Sequence, residues 1–188
     1  MRPPPSRRCS RSTRQSRPSP LRKGVCSLRE GVPYCWGNPC LNGNSFSPNC
    51  ESTLLPAGQA PLQATAVTGL PGLAEEVATG LSHACVRVDG RVLCWGSNAD
   101  GELGDGTTTA SATPVRAQLP ADDAVALSAG DGFTCAIRRN RSVWCWGTGE
   151  HTAVGTSVSR STVPVMVPNV SDAIAITSGR WHTCVRHA

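Results

Sequence analysis

Apolar and small polar residues alternate along three short stretches that each close on a glycine: Val77-Ala78-Thr79-Gly80, Ala124-Val125-Ala126-Leu127-Ser128-Ala129-Gly130 and Ala173-Ile174-Ala175-Ile176-Thr177-Ser178-Gly179. A period of two puts successive side chains on opposite faces of an extended chain, so each stretch predicts a short β-strand. A cysteine-bracketed segment follows soon after. It runs from Cys85 to Cys94-Trp95-Gly96 in one copy and from Cys135 to Cys145-Trp146-Gly147 in the next. An earlier copy runs from Cys26 to Cys35-Trp36-Gly37, and a last one begins at Thr183-Cys184-Val185. The lead cysteines 85, 135 and 184 are spaced by 50 and 49 residues, whereas 26 and 85 lie 59 apart, which places an insertion at about 38–60.

After each Cys-Trp-Gly comes a Gly-rich stretch, then a Pro-led strand at Pro114-Val115 and again at Pro164-Val165-Met166-Val167. Four short strands in roughly 50 residues, repeated, make a propeller blade. The predicted fold is therefore all-β: a partial β-propeller of about three to four four-stranded antiparallel blades. Its expected divisions are a degenerate first repeat over 24–73, a second over 74–123, a third over 124–172 and a truncated fourth over 173–188.

The cysteine spacing fits a β-hairpin. A two-residue turn at Asp89-Gly90 sets Cys85 opposite Cys94, and one at Glu30-Gly31 sets Cys26 opposite Cys35. A three-residue loop Arg139-Asn140-Arg141 keeps Cys135 opposite Cys145, with Asn140 expected in the left-handed conformation. Such pairs fall in the non-hydrogen-bonded class with Cα atoms about 4.5 Å apart, at the short edge of disulfide range. Three hairpin disulfides are expected, stiffening each blade by somewhat under ~3 kcal/mol. Zinc modules use close pairs such as C-x2-C, and no such pair occurs, so metal is the weaker reading. Reduced thiols packed as small apolar residues are the other alternative. Cys40 and Cys50 are expected to bridge the insertion, while Cys9 and Cys184 have no mate in the pattern and Cys184 is expected unpaired.

Composition agrees with a turn-rich chain: 188 residues contain 19 Gly and 15 Pro, only 4% aromatic and 16% charged. Long helices are disfavoured. The net charge of +5 is unevenly placed, since residues 1–23 hold eight basic residues and no acid while the rest carries ten bases against all 13 acids. That basic segment reads as a disordered Pro/Ser/Arg-rich tail; nucleic-acid binding through it is the less favoured alternative, because no aromatic residue is interleaved for stacking. The tail also lacks the apolar core of a secretory signal.

The string of His83, Cys85, Asp89-Gly90, Cys94-Trp95-Gly96, Asn98, Gly101, Leu103-Gly104 and Gly106 resembles the regulator-of-chromosome-condensation repeat, most of all its cysteine-paired bacterial branch. The likeness covers Val67–Ala188 well and Gly24–Gly37 in part. The third unit departs where Gly101-Glu102-Leu103-Gly104 becomes Thr152-Ala153-Val154-Gly155. The resemblance implies a seven-bladed propeller of roughly 350 residues, so the chain is expected to be a fragment or one part of an oligomeric ring. It also implies, as one function, guanine-nucleotide exchange on a small GTPase.

Candidate chemistry is sparse. His83 and His182 precede their lead cysteines by two, but Phe133 takes that place between them, which suits a ring packed between blades better than a general base. Asp100, Glu102 and Asp105 have the look of a calcium loop, yet the next unit offers His151, Ala153 and Thr156. Trp36, Trp95 and Trp146, with Gly80, Gly130 and Gly179, are expected to form the repeated structural core. No catalytic, cofactor or metal site is expected. The reading is a non-catalytic scaffold for a protein partner, exported or at the cell surface, hence extracellular or periplasmic, with exchange-factor and nucleic-acid-binding activities as alternatives.

Overall fold

The computed structural model describes residues 25–36, 64–148 and 159–188. The expected basic tail, the insertion at 38–60, and Cys9, Cys40 and Cys50 lie outside the described residues. All regular elements among the described residues are strands, and no helix there is long and apolar enough to cross a membrane.

Among the described residues thirteen strands form four antiparallel sheets. The first sheet joins β1 (Val25–Arg29), β2 (Val32–Trp36) and β3 (Thr65–Ala66). The second orders β4 (Glu76–Thr79), β5 (His83–Val88), β6 (Arg91–Gly96) and β7 (Ser111–Arg116) side by side. The third repeats that meander with β8 (Ala124–Ala129), β9 (Phe133–Arg138), β10 (Val143–Thr148) and β11 (Arg160–Met166). The fourth pairs β12 (Ala173–Ser178) with β13 (Thr183–His187). The alternating stretches thus become the first strand of the second, third and fourth sheets, and β4, β8 and β12 lie beside one another from blade to blade. This is a partial β-propeller.

The proline-containing strands differ from expectation. β7 starts three residues before Pro114 and β11 four before Pro164, each with a register shift opposite the Cys-Trp-Gly segment. Both are outermost strands of their sheets, where a missing backbone N–H costs no ladder bond.

Two of the hairpin turns match their spacing. Glu30 and Gly31 have φ of 54° and 76°, Asp89 and Gly90 49° and 74°, the double left-handed geometry of the tightest twisted turn. In the third hairpin the left-handed residue is Arg141 (φ 65°), not Asn140. Its amide bonds the Arg138 carbonyl at 2.8 Å, closing an ordinary turn over 138–141, while Asn140 Oδ1 takes the Ser142 amide at 3.1 Å. Asn140 works there as a local acceptor, and the left-handed step falls one residue later.

The core lies between sheets rather than within one. Between the first and second, Cys35 packs with Ala84, Val86, Leu93 and Trp95. Between the second and third, Cys85 and Cys94 meet Leu127, Ala136 and Trp146. Between the third and fourth, Cys135 and Cys145 meet Ala173, with Ile176 and Val185 alongside. Alternation along the strand explains the arrangement, because each cysteine faces the following sheet and the adjacent tryptophan the preceding one.

Candidate functional site

Three features recur along the seams: a cysteine pair, a glycine pressed against a ring, and a turn whose two middle residues change from unit to unit. The cysteine pairs come first. Cys26–Cys35, Cys85–Cys94 and Cys135–Cys145 stand at disulfide distance, with Cα atoms 4.1, 4.0 and 4.1 Å apart. Each pair is opposed in register across its hairpin. The expectation that Cys184 is unpaired is overturned: it too is disulfide-bonded. Its mate is none of those six, so reasoning from hairpin spacing alone did not find it.

The glycine and ring belong to a turn with the pattern Gly-x-x-ring. Gly80 N donates to His83 O at 2.9 Å, Gly130 N to Phe133 O at 2.9 Å and Gly179 N to His182 O at 2.8 Å. A Cβ on Gly80 would stand 2.3 Å from the His83 ring and 2.6 Å from the Gly130 carbonyl oxygen. On Gly130 it would meet the Phe133 ring at 2.1 Å and the Gly179 carbonyl at 2.7 Å. These glycines carry no side chain because a ring and the next sheet's backbone already fill that space.

Trp95 and Trp146 are fully buried, Trp36 only half-buried. Trp146 Nε1 donates to the Glu102 carbonyl at 2.9 Å, and the same oxygen accepts the Thr134 hydroxyl at 3.0 Å. His83 is completely buried, and its Nε2 lies 2.8 Å from Thr134 Oγ1. Burial lowers its pKa from 6.5 to about 4, against an opposing attraction from Asp131.

The acidic loop does not converge on a point. Glu102 is turned inward and buried, one carboxylate oxygen accepting the Asp100 amide at 2.8 Å. Asp105 accepts from the Thr107 amide at 3.0 Å and from Asn98 Nδ2 at 3.1 Å. Among the described residues no three His, Cys, Asp or Glu side chains gather as metal ligands would. Fully buried Asn98 organises this loop: its Oδ1 takes the Leu103 amide at 3.0 Å and its Nδ2 reaches the Thr109 carbonyl at 3.1 Å. Sequence reasoning gave Asn98 no role, although its place two residues after Cys-Trp-Gly was the available signal.

The x-x positions of the turns vary completely over this fixed frame: Leu81-Ser82, Asp131-Gly132 and Arg180-Trp181. Asp131 N donates to Arg180 O at 2.9 Å, and Arg180 Nε pairs with Asp131 Oδ2 at 2.9 Å, linking two neighbouring turns. Arg180 stacks 4.6 Å from the centroid of Trp181, and the Trp181 residue is 52% exposed.

Comparison with known proteins places the repeats. Two family models for the regulator of chromosome condensation (RCC1) repeat match, one over residues 89–137 and the other over 75–102 and 124–152. The mouse regulator of chromosome condensation is 27% identical over 118 residues, 60% of this chain and 28% of the relative. The human WBSCR16 crystal structure superposes with a TM-score of 0.69 at 17% identity, covering 88% of this chain and 43% of that one. Prp20p of Saccharomyces cerevisiae, whose structure was reported with its binding to Gsp1p and histones, gives 0.67 at 18% identity, covering 84% and 40%. The chain thus spans under half the length of these relatives.

Proposed function

We propose that this chain, which carries RCC1 repeats across residues 75–152, is a non-catalytic propeller scaffold for a protein partner, working in an oxidising setting outside the cytosol, at the cell surface or exported. The observation that carries this reading is the turn series at the seams, where a Gly-and-ring frame in the second, third and fourth sheets holds different residues each time. A rigid scaffold with variable loops suits recognition. The side chains with acid–base capacity nearby serve the fold instead: His83 is sealed in the seam, Glu102 caps its own loop and Asp105 is taken by Thr107 and Asn98. Three cysteine pairs at disulfide distance support the oxidising compartment.

Guanine-nucleotide exchange on a small GTPase is the second reading, favoured by the likeness to the mouse regulator of chromosome condensation. Cross-linking mass spectrometry on the intact oxidised chain in its own cells separates the two. A scaffold gives partner cross-links at the 81–82, 131–132 and 180–181 turns that fall severalfold in an Arg180→Ala, Trp181→Ala double variant. Stimulated release of labelled GDP from candidate GTPases, with no dependence on those turns, would replace it with exchange. Binding to DNA that falls steeply with salt and needs residues 1–23 would favour the nucleic-acid reading.

A further inference from the structure

The ring of His83 is enclosed between the second and third sheets, and its hydrogen bonding fixes its tautomer. Thr134 has one hydroxyl proton and spends it on the Glu102 carbonyl at 3.0 Å. It therefore accepts from His83, whose Nε2 at 2.8 Å carries the hydrogen. Nδ1 is left as a bare lone pair, buried with no partner. A Cβ on Gly80 would lie 2.5 Å from Nδ1, so that edge of the ring is pressed against the Gly80 backbone. In the third sheet the same place is held by Phe133 over Gly130, a ring with no polar atom. The frame accepts a hydrocarbon there; His83 puts a titratable group where packing does not require one.

We propose that protonation of His83 releases the seam between the second and third sheets, making it an acid-sensitive joint in the arc. A second proton on Nδ1 would be a buried cation donor with no acceptor, beside a Thr134 hydroxyl that is already committed. The surrounding elements bring few compensating charges. Asp131, leading into β9, attracts the imidazolium but is itself paired with Arg180. From the 97–106 loop come Asp100 and Glu102, the latter's carboxylate accepting the Asp100 amide. The Leu81-Ser82 turn brings no charge, and Cys85 is held in its cysteine pair. Burial outweighs attraction, so the closed seam holds the neutral ring with a pKa of about 4, against 6.5 for an exposed histidine. The seam is then fully stable above pH 6.5, weakens as pH falls from 6.5 towards 4, and loses nothing further below that. Each pKa unit is tenfold in the ratio of closed to open, so the whole loss is on the order of a hundredfold.

This joint is independent of which partner the scaffold binds. Hydrogen exchange on the full oxidised chain at pH 7 and pH 4.5, corrected for intrinsic rates, is the test. Protection of β4, β5 and β8 should fall at least about tenfold more than that of β12, and His83→Phe should remove the difference. Equal acid sensitivity in wild type and His83→Phe overturns the proposal. Should the variant fail to fold, deuterium uptake at the His83 imidazole carbon of the wild-type protein decides it. A midpoint well below 6.5 supports the joint, and a midpoint at 6.5 overturns it.

Discussion

At the scale of single residues, the seams are defined by what they have no room for. Gly130 faces a ring on one side and a carbonyl of the next sheet on the other, at distances where a methyl group forces one to retreat. Both neighbours are held, the ring by burial and the carbonyl by the turn in which Gly179 N donates to His182 O at 2.8 Å. Gly130→Ala should therefore destabilise the chain by about 1–3 kcal/mol, the usual cost of overpacking a dense interior. Urea denaturation monitored by tryptophan fluorescence would report it as a lower midpoint. The same substitution at exposed Gly72, where the nearest atom is a Val88 methyl at 3.2 Å, should cost far less.

Among the strands and hairpins, the turns differ in how their left-handed residues are supplied. The two tight turns pair a left-handed Glu30 or Asp89 with a left-handed glycine, Gly31 or Gly90, whereas the third hairpin has Arg141 alone at φ 65°. An L-residue with a Cβ costs roughly 1–2 kcal/mol there. The bonds made by Arg141 in this turn are backbone bonds, from its amide to Arg138 and from Ala173 to its carbonyl, and glycine would keep both. Arg141→Gly should raise stability by about 1 kcal/mol, readable as a rise in thermal midpoint. Removing a hairpin bridge acts oppositely: replacing Cys85 and Cys94 together by alanine should cost somewhat under ~3 kcal/mol. Peptide mapping without reductant should link Cys85 to Cys94 in the parent chain and Cys135 to Cys145 in both proteins. The hairpins and their cysteine register were legible because a tight turn converts sequence spacing directly into facing positions. The left-handed step in the third was not, since Asn140 satisfies its turn by accepting a hydrogen bond. Nor was the pairing of Cys184, because a sulfur bridge outside a hairpin leaves no spacing to read. Asn98 escaped for a related reason: its work is to hold loop backbone, which neither strand periodicity nor a charge pattern reveals.

For the molecule as a whole, the decisive property is that no sheet has a core of its own. Among the described residues every cluster of buried residues spans two neighbours, and the second and third sheets each contribute their cysteine pair to one seam and a tryptophan to the other. Stability in such an array is a sum of unit terms and nearest-neighbour seams. A perturbation should consequently spread one sheet in each direction and fade beyond that. Gly130→Ala acts at the third seam, between the third and fourth sheets, and should lower amide protection in β8, β9, β12 and β13. The same change should leave β1 and β2 at wild-type exchange rates, since the first sheet shares its core only with the second. Gly80→Ala acts one seam earlier and should affect β4, β5, β8 and β9. The third sheet is common to both, so the double variant should lose more protection in β8 and β9 than either single change produces. Hydrogen exchange resolved by peptide would show this directly, and uniform loss across all four sheets would mean that the arc unfolds as one unit and not seam by seam.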